Sequence, residues 1–161
     1  MFKGIIRELK PEDMEAVESI LGLYWDGELK ERFLKRLKDF VAHTPESIEN
    51  KYKCFVAEEN GEIIGLAVSR IAPEHMRQYI ETEKPVEFYL LAVKDKGRGI
   101  GTALREKGLE EMKKDGYTEV VFYSAESHKD SWAFHDKSDF KRAGPSVAPN
   151  GEKGFIWRIV L

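Results

Sequence analysis

The first half of the chain alternates between strand-like and helix-like hydrophobic patterns. Residues 4–9 predict a strand, and Lys10-Pro11-Glu12-Asp13 then predicts the start of a helix. Apolar positions at helical spacing predict one helix up to about residue 24 and a second from about 28 to 41. Residues 43–50 are polar and predict a connection. Strands over 52–58 and 63–71 flank Asn60-Gly61, a dipeptide typical of hairpin turns.

The second half contains the longest continuous pattern, a strand over 86–93 followed by a helix from Ile100 that stops at Gly116. Before it, residues 72–85 predict one helix of two or three turns, opened by Pro73-Glu74. After it come a strand over 117–125 and a weakly helical stretch over 127–139. Two closing strands, 140–142 and 154–160, are joined by a loop over 143–153 that contains Pro and Gly.

Between the central strand and its helix, residues 96–102 carry glycines at 97, 99 and 101. Glycine lets a ligand approach the backbone, and the first amides of a helix have no partner within the helix. The segment is therefore a candidate anion site, to which Lys96 and Arg98 add charge. The alternative is a glycine turn that serves only close packing. The spacing fits neither the dinucleotide fingerprint nor the phosphate loop of nucleotide-hydrolysing enzymes.

These residues resemble motif A of the GNAT superfamily of N-acetyltransferases, [RQ]-x-x-G-x-G/A, with Lys96 in place of its leading Arg or Gln. The preceding Leu-Ala-Val strand end matches as well. The resemblance implies an α/β (α+β) fold, in which about four helices flank a mixed, mostly antiparallel sheet of six or seven strands. It implies acetyl-coenzyme A as cosubstrate and no metal. It assigns coenzyme binding to Leu91, Ala92, Val93, Lys96, Gly97, Arg98, Gly99, Ile100, Gly101, Thr102, Phe134 and Lys137.

Acetyl transfer to an amine needs a proton acceptor, a donor to the carbonyl oxygen and a proton for the departing thiolate. Glu87, the one carboxylate in the central strand, is the candidate base, and an ordinary ion pair is its alternative role. The amide of Leu91 or Val93 is the candidate donor. His135 stands where the family has a tyrosine acid, so His135 or Tyr123 could supply the last proton, and His135 could equally be a solvated helix residue.

Length, charge and composition limit the number of domains, the classes of partner and the expected location. The 161 residues predict a single domain over 1–161, and a net charge of −3 argues against nucleic-acid or anionic-membrane partners. No span or signal pattern is present, so a cytoplasmic location is expected. Cys54, the single cysteine, reads as a small buried hydrophobe. With 34% charged residues and only one glutamine, the chain is thermophile-like in composition.

The function predicted from these residues is acetyl transfer from acetyl-coenzyme A to a primary amine, on a small molecule or a peptide, by direct attack in a ternary complex. The rival is an acyl-coenzyme A binding or sensing module with little or no activity, which the replaced tyrosine favours. A nucleotide-dependent enzyme has little support, because no Ser or Thr follows a Lys in the turn. Trp25 and residues 72–85 are candidates for the acceptor side. The alternatives are core or hinge packing for Trp25, which is the more common role at a helix junction, and a surface elaboration for residues 72–85. The family resemblance also allows a homodimer, an assembly common in the family, and the sequence does not decide between monomer and dimer.

Overall fold

A computed structural model describes residues 1–161 of the chain. Seven strands and five α-helices alternate along it. The strands are β1 (Ile5–Glu8), β2 (Lys53–Glu59), β3 (Glu62–Ile71), β4 (Pro85–Val93), β5 (Glu119–Ala125), β6 (Lys141–Val147) and β7 (Lys153–Val160). The helices are α1 (Met14–Leu21), α2 (Gly27–Val41), α3 (Pro45–Glu49), α4 (Ile100–Lys114) and α5 (Trp132–Asp136). Short 3-10 helices span Pro11–Asp13, Glu74–Tyr79 and Glu126–Ser131.

The strands form one sheet in the order β1-β2-β3-β4-β5-β7-β6. The pairs β1–β2, β2–β3, β5–β7 and β6–β7 are antiparallel, and β4–β5 is parallel. The parallel register covers three pairs, from Pro85 with Glu119 to Glu87 with Val121, whereas β4 continues to Val93. The predicted α/β fold with a mixed, mostly antiparallel sheet is confirmed.

The chain divides into two compact units, and the first contains residues 1–70 and 90–111. Its core is formed by Val17, Leu21, Leu37, Val56, Leu66 and Leu104, all with no exposed surface. At the crossing of β3 and α4, a Cβ on Gly65 would lie only 2.8 Å from Leu104 Cδ1 and 2.9 Å from Ile100 Cγ2. A glycine is needed there, because it lets the first turns of α4 pack directly on the strand.

The second unit contains residues 71–89 and 112–161. On one face of its strands, Met76 packs with Val121 and Ile156. On the other, Phe122 stacks on Trp157 with ring centroids 5.4 Å apart and meets Phe140 edge-on at 5.0 Å. Successive residues of a strand point to opposite faces, so these two clusters lie on opposite sides of the strands of this unit.

Three local predictions were wrong in detail. Residues 43–50 contain α3, which begins after Thr44, whose hydroxyl accepts a hydrogen bond from the Ser47 amide at 3.2 Å. The helix predicted within 72–85 is a 3-10 helix, Glu74–Tyr79. The loop over 143–153 is shorter, because β6 runs on to Val147 and includes Pro145. Proline is tolerated there because β6 is an edge strand, so its missing N–H removes no hydrogen bond to a further strand.

Candidate active site

The turn from β4 into α4 adopts the conformation that its glycines predict. Gly97 and Gly99 have φ angles of +80° and +79°, in the left-handed region that other residues rarely adopt. A Cβ on either glycine would meet nothing within 4 Å. These glycines are therefore required by backbone conformation and not by close packing, and they leave the surface of the turn open to a ligand.

The first amides of α4 have no partner within the helix. The Ala103 amide donates to the Gly99 carbonyl at 3.0 Å, so the amides of Ile100, Gly101 and Thr102 precede the first hydrogen bond of the helix. They also lie at the positive end of the helix dipole. Backbone donors in this arrangement fit a diphosphate such as that of coenzyme A.

Two of the three cations in residues 94–98 are held by carboxylates. Arg98 pairs with Glu59 and also lies 3.6 Å from Asp95, and Lys94 pairs with Glu62. Hydrogen bonds from the Lys3 amide and from Arg98 hold the pKa of Glu59 below its ordinary value. Glu59 thus partly neutralises Arg98, and the role of Arg98 in binding the coenzyme stays a prediction.

The end of β4 presents one edge away from β3. The Lys94 amide donates to the Ile64 carbonyl at 2.8 Å, which fixes the direction of β3 relative to this peptide. Amides alternate between the two edges of a strand, so those of Leu91 and Val93 point away from β3 and that of Ala92 points toward it. The two amides expected to act on the thioester carbonyl therefore share one edge.

Tyr24 is a residue near this edge that sequence reasoning did not assign to the site. Its hydroxyl donates to the Val93 carbonyl at 2.6 Å, and the Lys96 ammonium lies 5.6 Å from the centroid of its ring. The pattern placed Tyr24 on the apolar side of the first helix, but α1 ends at Leu21 and Tyr24 lies in the following turn. The signal available in the sequence was an aromatic residue with a hydroxyl at a helix end. The neighbouring Trp25 was the residue predicted to lie near the acceptor instead.

Glu87 is buried, with 3% of its surface exposed. Its register partner on β5 is Val121, so the two side chains lie on the same face. That face also carries Tyr123, two residues further along β5, and Met76 of the 3-10 helix Glu74–Tyr79, which packs on Val121. Residues 72–85 therefore cover the face of this unit that bears Glu87.

The second half of the same segment is held by two sets of hydrogen bonds. Tyr79 donates from its hydroxyl to the Pro145 carbonyl, and its ring lies where a Cβ on Gly144 would be. The amides of Glu81 and Thr82 donate to the buried carboxylate of Glu119 at 2.7–3.1 Å. Whether this segment shapes the acceptor site stays a prediction.

The phenol of Tyr123 has a raised pKa. Its hydroxyl donates to the Glu152 carbonyl at 2.7 Å. Burial, and then the charge of Glu152, raise the pKa of Tyr123 to about 12. A phenol with so high a pKa is protonated at neutral pH and could deliver a proton to a thiolate only by leaving this hydrogen bond.

His135 lies on the opposite face from Glu87 and Tyr123. Its ring centroid is 4.6 Å from that of Phe122 and 5.2 Å from that of Trp157. Its Nε2 lies 3.5 Å from the Ser131 hydroxyl. Phe134 packs edge-on to His135 at 5.5 Å, and Lys137 is exposed. The three catalytic candidates are thus divided between two faces, two on one and His135 on the other.

The structure also describes the potential metal ligands, the single cysteine and the apolar character of the helices. No group of three or more His, Cys, Asp or Glu side chains is placed to hold a metal ion. Cys54 has no exposed surface, and burial raises the pKa of its thiol, as suits a core residue. None of the helices combines the length and apolar character that crossing a bilayer demands.

Solved structures share this fold from one end of the chain to the other. A GNAT-family protein from Desulfovibrio desulfuricans has a TM-score of 0.82 at 17% identity, with 98% of this chain and 99% of that chain covered. PaiA N-acetyltransferase from Thermoplasma acidophilum, solved with coenzyme A, has a TM-score of 0.70 at 18% identity, with 99% and 100% covered. The ribosomal-protein-S18-alanine N-acetyltransferase from Escherichia coli has a TM-score of 0.68 at 18% identity, with 98% and 94% covered.

The sequence itself gives the family. No curated protein sequence matches this chain significantly. A family model described as the acetyltransferase (GNAT) family matches residues 14–140, which is most of the chain and includes the glycine turn, the whole of β4 and His135. The resemblance seen in the sequence and the acetyl-coenzyme A prediction are confirmed. The chain belongs to the GNAT family of acetyltransferases, enzymes that use acetyl-coenzyme A to acetylate amine substrates.

Proposed function

We propose that this protein transfers an acetyl group from acetyl-coenzyme A to a primary amine by direct attack in a ternary complex. The observation that carries the proposal is the open turn of residues 96–102, whose left-handed glycines and unpaired helix amides suit a diphosphate. Lys96 adds a cation at this turn. The acceptor is an amine on a small molecule or a peptide, and the reaction takes place in the cytoplasm.

Glu87 is the proposed general base. Its carboxylate belongs to the buried part of β4, and a positioned carboxylate can accept a proton from an ammonium or amine. Glu87 and Leu91 belong to one strand and, four residues apart, point to the same face. The amine nitrogen forms a bond to the thioester carbonyl carbon while its proton passes to Glu87.

The remaining roles fall to the strand edge and to the acid candidates. The amides of Leu91 or Val93 would donate to the carbonyl oxygen as negative charge develops on it. The carbon–sulfur bond breaks, and the departing thiolate takes a proton from His135 or Tyr123. Phe134 of α5 and Lys137, which follows the end of α5, are the proposed coenzyme contacts near His135.

An acyl-coenzyme A binding module with little activity is the second candidate. A specific observation favours it: each acid candidate is engaged elsewhere. The Tyr123 hydroxyl donates to a backbone carbonyl, and the His135 ring packs against Phe122 and Trp157. Such a module would bind the coenzyme through the same turn and release little thiol.

The test is thiol release from acetyl-coenzyme A with a panel of amines, in wild type and Glu87→Gln. The panel comprises a peptide with N-terminal alanine, lysine, a polyamine and an aminoglycoside, and a reaction without amine gives the background. We expect turnover with at least one amine and a loss of about 100-fold or more in kcat for Glu87→Gln. Coenzyme affinity, measured by calorimetry, should be unchanged.

Glu46→Gln is the matched control, because Glu46 lies on α3, away from the proposed site residues, and its side chain is 58% exposed. It should behave as wild type. Binding of coenzyme A without turnover of any amine would support the binding module instead. Full activity in Glu87→Gln would remove Glu87 as the base, and absence of coenzyme binding in the wild type would overturn both candidates.

A further inference from the structure

Tyr24 makes two contacts with residues 93–96, which lead from the end of β4 into the glycine turn of residues 96–102. Its hydroxyl donates to the Val93 carbonyl at 2.6 Å, although the two residues are 69 positions apart. The face of its ring lies 5.6 Å from the Lys96 ammonium. One side chain therefore touches both the last residue of β4 and the first residue of the turn.

The hydroxyl completes a clamp on one peptide group. The peptide between Val93 and Lys94 donates its N–H to the Ile64 carbonyl at 2.8 Å and accepts at its C=O from Tyr24. N–H and C=O point in opposite directions from a planar trans peptide, so the group is held from both sides. This peptide sets the direction in which the chain leaves β4 and enters the turn.

The ring restrains the cation of the turn. An ammonium near the face of a tyrosine ring is attracted by the electron-rich face. A lysine side chain loses conformational freedom when it binds an anion, and a side chain that is already restrained loses less. Lys96 thus begins closer to the geometry in which it would meet a diphosphate.

Tyr24 is itself fixed by aromatic packing. Its ring centroid lies 5.6 Å from that of Trp25, and Trp25 meets Phe33 of α2 edge-on at 5.0 Å. Phe33 is a buried residue of α2. The clamp is therefore anchored in the joint between α1 and α2, and it does not depend on an exposed, mobile side chain.

We propose that Tyr24 is a positioning residue for coenzyme binding. Its hydroxyl fixes the Val93–Lys94 peptide and its ring restrains Lys96, so the turn is arranged for the diphosphate before the coenzyme arrives. The inference rests on the proposed function, since it names a residue that acts on the same site. Tyr24 touches the turn and not the reacting atoms, so it should govern coenzyme affinity and leave the chemical step largely unchanged.

The test compares coenzyme A binding in wild type, Tyr24→Phe and Tyr24→Leu by calorimetry. Tyr24→Phe removes the hydrogen bond and keeps the ring, and we expect its Kd to rise by about three- to tenfold. Tyr24→Leu also removes the ring and should raise the Kd further. With any amine that is turned over, KM for acetyl-coenzyme A should rise in parallel, whereas kcat at saturation should stay within about twofold of wild type.

Tyr52→Phe is the matched control. Tyr52 is a buried tyrosine of the same unit whose hydroxyl accepts from Arg36 of α2 at 3.0 Å. It should lower the thermal midpoint without changing coenzyme affinity. A double-mutant cycle with Lys96→Met adds a second readout: if the ring acts through Lys96, the effect of Tyr24→Leu should shrink once Lys96 is removed.

The outcomes separate this inference from the proposed function. If wild type and both Tyr24 variants bind coenzyme A with the same affinity, the role of Tyr24 is overturned and the proposed function stays intact. Equal loss of affinity in Tyr24→Phe and Tyr52→Phe would show a general effect of destabilisation and would also overturn it. Wild type that binds no coenzyme A overturns both.

Discussion

At the scale of single residues, the glycine turn of residues 96–102 depends more on backbone conformation than on side-chain charge. Gly97 and Gly99 are held at positive φ, and their surroundings are open. Arg98, which looks in the sequence like a ligand for an anion, is paired with Glu59. The amides of Ile100, Gly101 and Thr102, which precede the first hydrogen bond of α4, are therefore the donors that the backbone itself offers to an anion.

Gly99→Ala tests the turn against a matched glycine. Gly61 in the β2–β3 hairpin has a φ of +77°, close to the +79° of Gly99, and neither position would crowd a Cβ. Forcing alanine into this region should lower the free energy of unfolding by about 1–2 kcal/mol in either variant. Only Gly99→Ala should also weaken coenzyme A binding, by about tenfold, because its methyl group enters the space of the ligand.

Thermal denaturation and calorimetry of both variants give the two quantities. If Gly61→Ala weakened coenzyme binding as much as Gly99→Ala, the effect would come from stability alone, and the turn would lose its assigned role.

At this scale, features made of contiguous residues could be predicted from the sequence, and contacts between residues far apart in the sequence could not. The glycine turn could be predicted because its strand, glycines and helix are contiguous. The partners of its side chains could not: Glu59 is 39 positions from Arg98, and Tyr24 is 69 positions from Val93. A single sequence shows which residues carry charge or a hydroxyl and does not show what they meet.

At the scale of elements, the placement of α4 depends on one small residue in β3. A Cβ on Gly65 would lie within 3 Å of both Ile100 and Leu104, the residues by which α4 packs on the strand. We expect Gly65→Val to push the start of α4 outward. The cost should be about 1–3 kcal/mol in unfolding free energy, together with weaker coenzyme A binding.

Gly144→Ala provides the comparison for Gly65→Val. A Cβ on Gly144 would lie 2.6 Å from the Tyr79 ring, and both residues belong to the second unit, whereas Gly65 belongs to the first. Gly144→Ala should cost stability and leave coenzyme affinity unchanged, as followed by denaturant unfolding and calorimetry. Equal losses of affinity in both variants would contradict the assigned role of the β3–α4 contact.

A second element, the segment 72–85, is fixed by a buried carboxylate and should give stability a defined pH dependence. Burial acts to raise the pKa of Glu119, but hydrogen bonds from Thr82 and Glu81 and from Arg158 outweigh it and hold the pKa below 4.5. A lowered pKa stabilises the folded state above the unfolded value, and this contribution is lost as pH falls below about 4.5.

Glu119→Gln should therefore be less stable than wild type at pH 7, by about 1–3 kcal/mol, yet lose less stability on acidification. Thermal midpoints between pH 3 and pH 7 measure both effects. Glu74→Gln, at an exposed position, should follow the wild-type profile. Parallel profiles for wild type and Glu119→Gln would show that this carboxylate does not link proton uptake to unfolding.

Element boundaries show where local patterns mislead. The helix α3 lies in residues 43–50, whose polar character predicts a connection, although Thr44 is a good helix cap and proline suits the first helical turn. The sequence predicts that the strand ends at Arg142, because Gly144 and Pro145 usually interrupt strands, whereas β6 continues to Val147. Only the position of a strand within the sheet decides whether proline is tolerated, and a local pattern does not contain it.

At the scale of the whole molecule, composition predicts high thermal stability. Charged residues make up 34% of the chain, and several of them form ion-pair groups, such as Arg7 with Asp13 and Glu58 and Lys107 with Glu110 and Glu111. Such groups gain weight as temperature rises, because the cost of removing water from charges falls. We expect a thermal midpoint above about 65 °C by calorimetry, beyond the range of most mesophilic domains.

A midpoint within that mesophilic range would contradict the thermophile-like reading of the composition. The single-domain organisation and the homodimer stay predictions, which the cooperativity of the same unfolding transition and light scattering would test.

The lone cysteine has a practical consequence. Cys54 is fully buried in β2, and burial raises the pKa of its thiol, so it should be inert to maleimide dyes in the folded protein. A second cysteine engineered at an exposed site of α5, such as Ala133, could then carry a single fluorophore without removal of the native thiol. Fluorescence could thus follow ligand arrival at α5 in an otherwise unaltered background.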